Sequence, residues 1–252
     1  MSRPQGVEFA ATKEPQIMDY LVTVQGIRIV GGLAFLFILY SAWMGKMTAQ
    51  GLPAGYSNPV LALELVKDKA DIEKIVQAES GKVVNFLKRS TYKDFGFIFV
   101  YALLFIALSL LLSQMNSGWM RYVGWLAAAC AALAAILDLV EDRGMLIAIA
   151  GEASDSLANS IRYPSLAKWG LLFIFALLVG TLLVARRDFF VIPAVFLFVA
   201  ALAGLCGVLL NLFRPRYYWT FPVAIVSLGI GILIIAFTFT FWPAKLLTKV
   251  TR

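Results

Sequence analysis

Six stretches of this chain, at about 27–44, 95–112, 122–143, 165–184, 189–212 and 221–242, are apolar almost from end to end. An apolar run of about 18–20 residues is what a helix needs to cross roughly 30 Å of hydrocarbon. The pattern predicts an all-α, polytopic helical membrane protein with six transmembrane helices. Aromatic residues mark several span ends, with Tyr40 and Trp43 closing the first and Trp119, Tyr122 and Trp125 opening the third, as amphipathic rings do at the headgroup level.

Charge is scarce and placed accordingly. Of 252 residues, 61% are hydrophobic and 15% charged, against about a quarter charged in an average soluble domain. The net charge of +7 comes from basic residues in loops and at span ends, where anionic lipid headgroups are the natural partner; nucleic acid is not an expected one. The chain has no histidine and only two cysteines, Cys130 and Cys206, each inside an apolar run. That removes His-ligated haem or zinc, His-based nucleophile activation and four-thiolate clusters, so no cofactor or metal is expected. The sequence also lacks a phosphate-binding glycine loop, a GxSxG elbow and an HExxH helix.

In chain order, residues 1–26 form a polar tail, and 27–252 a single membrane-embedded bundle. The first stretch is read as a span and not a cleaved signal, because its leader is charge-balanced and no small-x-small cleavage site follows. Residues 46–94 make the one sizeable extramembrane segment. Asn58 followed by Pro59 signals a helix start, and Ile72, Ile75 and Val76 fall on one side of a second piece. A third helix, capped by Ser80, opposes Val83, Val84 and Leu87 to Lys82, Lys88 and Arg89 and runs on into the second span. The fourth span is expected to start at Tyr163-Pro164-Ser165. Nine basic residues (Arg3, Lys13, Arg28, Arg121, Arg186, Arg187, Lys245, Lys249 and Arg252) share a side with both termini, against five in the opposite short loops (Arg143, Arg162, Lys168, Arg214 and Arg216). The positive-inside rule then puts both termini in the cytoplasm. The eight basic residues of the long first loop reverse that sum if they are counted.

Polar groups gather at one place. Asp138, Glu141 and Asp142 fall at i, i+3 and i+4 on one helical face, in a position where charge costs roughly 2.5–3.5 kcal/mol per group at mid-bilayer. The third span is expected to close near 143, with Gly144 as a place to bend and the cluster at the headgroup boundary. A helix continuing through 150 is the other reading and would put Asp138 near the bilayer centre. Lys168, at the start of the next span, is the expected partner of Asp138, with Arg143 and Arg162 as second choices. Gly124, Ala128, Ala131 and Ala135 form a small-residue seam above the cluster. Ala200, Gly204 and Gly207, continued by Asn211, form another; such seams let membrane helices approach closely.

The runs Leu61-Ala62-Leu63-Glu64-Leu65, Asp94-Phe95-Gly96-Phe97-Ile98-Phe99-Val100-Tyr101 and Leu137-Asp138-Leu139-Val140-Glu141-Asp142 resemble a group of small uncharacterised bacterial multi-pass membrane proteins. The resemblance covers about 58–184. It implies a bacterial inner membrane and a four-helix core, and it transfers no site roles. Three functions fit the residues. The leading one is a structural or accessory protein that associates with lipids, partner membrane proteins or further copies of itself through its seams and amphipathic segment. A small-solute or ion transporter would use Asp138, Glu141 and Asp142 with Lys168 or Arg143 as counter-charge. A lipid-modifying enzyme would use the same carboxylates.

Overall fold

A computed structural model of the protein describes residues 22–44, 47–53, 56, 58–186, 190–213 and 220–244, the side chains of Glu79 and Ser80 excepted. The polar tail with Arg3, Lys13 and the rest of residues 1–21 falls outside that set. So do Lys46, Arg187, Arg214, Arg216, the aromatic run 217–219 and the tail holding Lys245, Lys249 and Arg252. Among the described residues the chain is helical with no strand, and six helices are long and apolar enough to cross a membrane. These are α1 (Val24–Trp43), α4 (Lys82–Met115), α5 (Met120–Ile149), α6 (Asp155–Ala185), α7 (Val191–Phe213) and α8 (Thr220–Phe241). Two short helices, α2 (Pro59–Glu64) and α3 (Lys69–Gln77), lie between α1 and α4.

Helix length divides the spans into two kinds. With 20, 23 and 22 residues, α1, α7 and α8 measure about 30–35 Å and match a hydrocarbon core of roughly 30 Å. With 34, 30 and 31 residues, α4, α5 and α6 measure about 45–50 Å and must project from it. They project at one end. Tyr40 near the end of α1 donates its hydroxyl proton to the Lys93 carbonyl at 3.0 Å, so residues 82–92 of α4 lie beyond α1. Arg162 likewise meets the backbone carbonyl of Asn211 near the end of α7, leaving the first two turns of α6 outside the short helices.

The projecting ends and the loop bury one another. Leu63, Leu65, Val66, Ile72 and Ile75 are fully covered and form an apolar cluster with Val83, Leu87, Met145, Ala148, Ala158 and Ile161. Each such side chain contributes roughly 1.5–3 kcal/mol of burial. Of the bilayer surface and a neighbouring element, the two surfaces that the apolar faces of this segment could meet, it is the second that they cover: the segment is a cap folded onto the bundle's own helix ends. Its local signals are specific: Asn58 Oδ1 accepts from Val60 and Leu61 N–H, and Asp68 accepts from Asp71 N–H while Asp71 accepts from Lys67 N–H. Both cap ends turn through left-handed glycines, Gly51 (φ 79°) and Gly81 (φ 88°). Gly81, and not the expected Ser80, occupies the N-cap of α4.

Two helices run beyond the apolar stretches expected to span. α5 continues past Gly144, where a bend was expected, to Ile149, because Met145, Ala148 and Ile149 are buried under the cap. α6 starts ahead of Pro164, at Asp155, capped by Ser154, whose hydroxyl accepts from Leu157 N–H at 3.0 Å. Pro164 sits inside α6 and deprives the Ser160 carbonyl of its helical donor, at an exposed residue where water can serve instead.

Within the bundle each of α4 to α8 packs on the next, and α1 closes the ring between α8 and α4. Close approach is made by small residues. A Cβ on Gly124 would meet the side chain and backbone of Ser113, one on Gly204 the Phe173 ring, and one on Gly207 the Thr220 hydroxyl. Ala128, Ala131, Ala135 and Ala200 are buried alongside. Both small-residue seams are thus filled by helices of this same chain.

Candidate functional site

The centre of the ring is organised by one lysine. Lys168, 3% exposed, projects from α6 toward α5 and the cap. Its ammonium lies 2.7 Å from Asp138 Oδ1, 2.7 Å from Glu141 Oε2 and 3.6 Å from Glu64 Oε1. An ammonium has three N–H donors, and three carboxylates surround it. Burying such charges costs several kcal/mol per ion unless pairing and hydrogen bonding compensate; Asp138 has both, whereas Glu141 is ion-paired to Lys168 with neither of its oxygens hydrogen-bonded among the described residues. Tyr101 donates its hydroxyl to Asp138 Oδ2 at 2.8 Å, so both Asp138 oxygens are engaged. Trp169 Nε1–H donates to Glu64 Oε2 at 2.9 Å, which ties the cap to α6. Glu64 ends α2; the buried apolar residues that follow it, Leu65 and Val66, press that helix end onto the bundle.

Two further carboxylates stand beside this centre. Asp94 on α4 interacts electrostatically with Asp138, Lys168 and Glu64, yet among the described residues its carboxylate forms neither a hydrogen bond nor an ion pair. Asp142 is 1% exposed, and among the described residues its Oδ2 has no hydrogen-bond partner; Asp94, Asp138, Lys168 and Glu64 act on it electrostatically. Five carboxylates therefore share one buried ammonium.

A cavity of about 400 Å³ opens from the centre, within the roughly 300–1,000 Å³ typical of small-molecule sites. Glu64, Asp94, Asp138, Lys168 and Trp169 line its polar end, and Phe37, Phe97, Phe105, Leu172 and Ile225 its apolar walls. The tilt of α1 creates the opening. In its first half α1 touches α8, where Gly31 abuts Phe239 and Thr240 and Phe35 meets Phe237 edge-on at 5.1 Å. In its second half it leans on α4, through Phe37 stacked on Phe97 at 5.2 Å and Lys93 Nζ donating to the Trp43 carbonyl at 3.1 Å. A wedge is left between α1 and α8 at the capped end. Ser41 and Ile225 at its rim are exposed, and a Cβ on Gly229 would meet nothing within 4 Å. The wedge faces outward between α1 and α8.

The residues singled out from sequence divide into three groups. Asp138, Glu141 and Lys168 come together, with Asp142 adjacent. Arg143 is exposed on the outside of α5 and takes no part. Arg162 and Asn211 form a separate contact nearer the helix ends, where Asn211 Nδ2 also donates to the Gly207 carbonyl at 3.2 Å. Lys168 lies six residues, about 9 Å, further into the bundle than Arg162, so the acidic cluster sits inside the helical ring and not at a span end. Glu64, Asp94, Tyr101 and Trp169 carry no site role in the sequence reading. The signal for Asp94 and Tyr101 was a shared face, since Asp94, Phe97, Tyr101 and Phe105 fall at i, i+3, i+7 and i+11; Glu64 and Trp169 had no such local signal. Among the described residues no three His, Cys, Asp or Glu side chains are grouped to hold a metal ion; the carboxylates converge on an ammonium.

Comparison of this chain with protein-family models, curated proteins and solved structures finds no match.

Proposed function

We propose that this protein is a carrier that binds a small bilayer-soluble molecule in the cavity beneath its cap, admitting it sideways from the lipid between α1 and α8. The observation that carries this reading is the coincidence of the lateral wedge with the buried Lys168 centre at its inner end. Pockets with apolar walls and a few convergent polar groups are the usual form of a small-molecule site. Charges kept inside a membrane bundle usually mark a pathway or ligand site. This is the small-solute pathway among the functions that the sequence admits. Association with partners had rested on the small-residue seams, which are spent on internal packing. Following the basic-residue bias and the resemblance of residues 58–184, we place the protein in a bacterial inner membrane with the Trp119 side in the cytoplasm.

An uncharged alkyl diazirine dissolved in membranes containing the protein tests this reading. Photolysis should label the cavity lining, Ile38 and Leu172 in particular, as well as outward-facing residues such as Leu139. Gly229→Phe should remove the cavity labelling and leave that of Leu139 unchanged, since the added ring enters open space. Labelling restricted to outward-facing residues would overturn the proposal.

A further inference from the structure

We infer that the molecule taken by the cavity is a cation, a protonated or quaternary amine carried on a hydrocarbon body. The inference rests on the carrier reading above and deepens it.

The polar groups around the cavity differ in what they can still offer a ligand. Lys168 is enclosed by carboxylates: it donates to Asp138 Oδ1 at 2.7 Å, forms ion pairs with Glu141 at 2.7 Å and Glu64 at 3.6 Å, and its ammonium lies 5.4 Å from the centre of the Trp169 ring. An anionic ligand would meet those three carboxylates before it reached the ammonium. Asp138 is engaged on both oxygens, by Lys168 and Tyr101. Asp94 differs, because it lines the cavity and, among the described residues, its carboxylate has neither a hydrogen bond nor an ion pair. A carboxylate with no partner beside an open cavity is the group there that a cation can still reach.

The walls give a second, independent indication. Phe37, Phe97, Tyr101 and Phe105 form a continuous aromatic surface on the cavity, with ring centres 5.2 Å apart for Phe37–Phe97, 5.7 Å for Phe97–Tyr101, 5.7 Å for Tyr101–Phe105 and 5.5 Å for Phe37–Phe105. Trp169 completes the lining from α6. Ring faces attract ammonium groups, and aromatic cages beside a carboxylate are how quaternary amines are recognised. A cation seated there would meet Asp94 on one side and these aromatic side chains on the others, with its hydrocarbon part toward Leu172 and the wedge. At about 30 Å³ per water-sized group, a volume near 400 Å³ holds about a dozen heavy atoms. That suits an amine of that size, or the head and first part of a longer chain.

The test uses the full chain in lipid nanodiscs, with cavity labelling by the uncharged diazirine as the signal. Dodecylamine, dodecyltrimethylammonium, dodecanol and dodecanoate serve as competitors of matched chain length. The two cations should compete about tenfold or more better than the alcohol, the margin expected for a charge-assisted contact, and the carboxylate worst. Asp94→Asn should abolish the preference for cations while dodecanol still competes, which also shows that the variant is folded. Phe97→Leu, which keeps the wall apolar, should weaken the cations and spare the alcohol. Equal competition by alcohol and cations, or stronger competition by dodecanoate, would overturn this inference and leave the carrier reading standing. Failure of the diazirine to label the cavity would overturn that reading itself.

Discussion

At the scale of single residues, the Lys168 centre makes unequal demands on its members. Removing the ammonium strands three buried carboxylates, whereas removing Asp138 leaves Lys168 with Glu141 and Glu64. Breaking a buried pair from one side costs about 3–5 kcal/mol, because an uncompensated charge is left. Lys168→Met is therefore expected to lower the melting temperature in detergent more than Asp138→Asn. The double variant should be more stable than the sum of the two losses predicts, and strict additivity would mean the residues do not interact. Glu64→Gln is a different case. It weakens the ion pair to Lys168 and the bond from Trp169, both of which cross from the cap to α6, while the apolar core of the cap is untouched. Limited proteolysis should then cut within 47–81 faster, with only a small change in melting temperature. The sequence made part of this centre legible. Three acids on one face of α5 and a lysine at the start of the fourth apolar stretch were sufficient to expect the Asp138–Lys168 contact. Glu64, by contrast, is joined to Trp169 across 105 positions, and no local periodicity encodes a contact of that range.

At the scale of helices, apolar runs locate the part of each helix inside the bilayer and say little about where it stops. The last turns of α5 and the first of α6 are polar on one side because they leave the membrane and meet the cap, so they read as loop. Glycines illustrate the same division between what composition shows and what neighbours decide. Gly124, Gly204 and Gly229 look alike in sequence, yet the first two face backbone or a ring at contact distance and the third faces open space. Gly204→Leu and Gly124→Leu should each destabilise the bundle by about 1–3 kcal/mol or more through overpacking. Gly229→Leu should leave the melting temperature unchanged or raise it slightly, since glycine costs up to about 1 kcal/mol within a helix. Comparable losses for all three would mean that the wedge between α1 and α8 is closed.

At the scale of the whole molecule, the cap covers one end of the ring of six helices, and the cavity belongs to that end. Trp119→Cys and Glu73→Cys, both at exposed positions, should react with membrane-impermeant maleimide from opposite sides of the membrane, with Trp119→Cys reached from the cytoplasm. Labelling of both from the same side would contradict the topology. The central claim, that the cavity communicates sideways with lipid, is tested most directly by a lone cysteine at Leu172, with Cys130 and Cys206 replaced. In membranes, an uncharged alkyl maleimide should modify Leu172→Cys and a sulfonated one should not. Gly229→Phe should slow the alkyl reaction at Leu172→Cys while leaving that at Leu139→Cys unchanged. An unreactive Leu172→Cys beside a reactive Leu139→Cys would contradict the account, since the cavity would then be sealed from the bilayer.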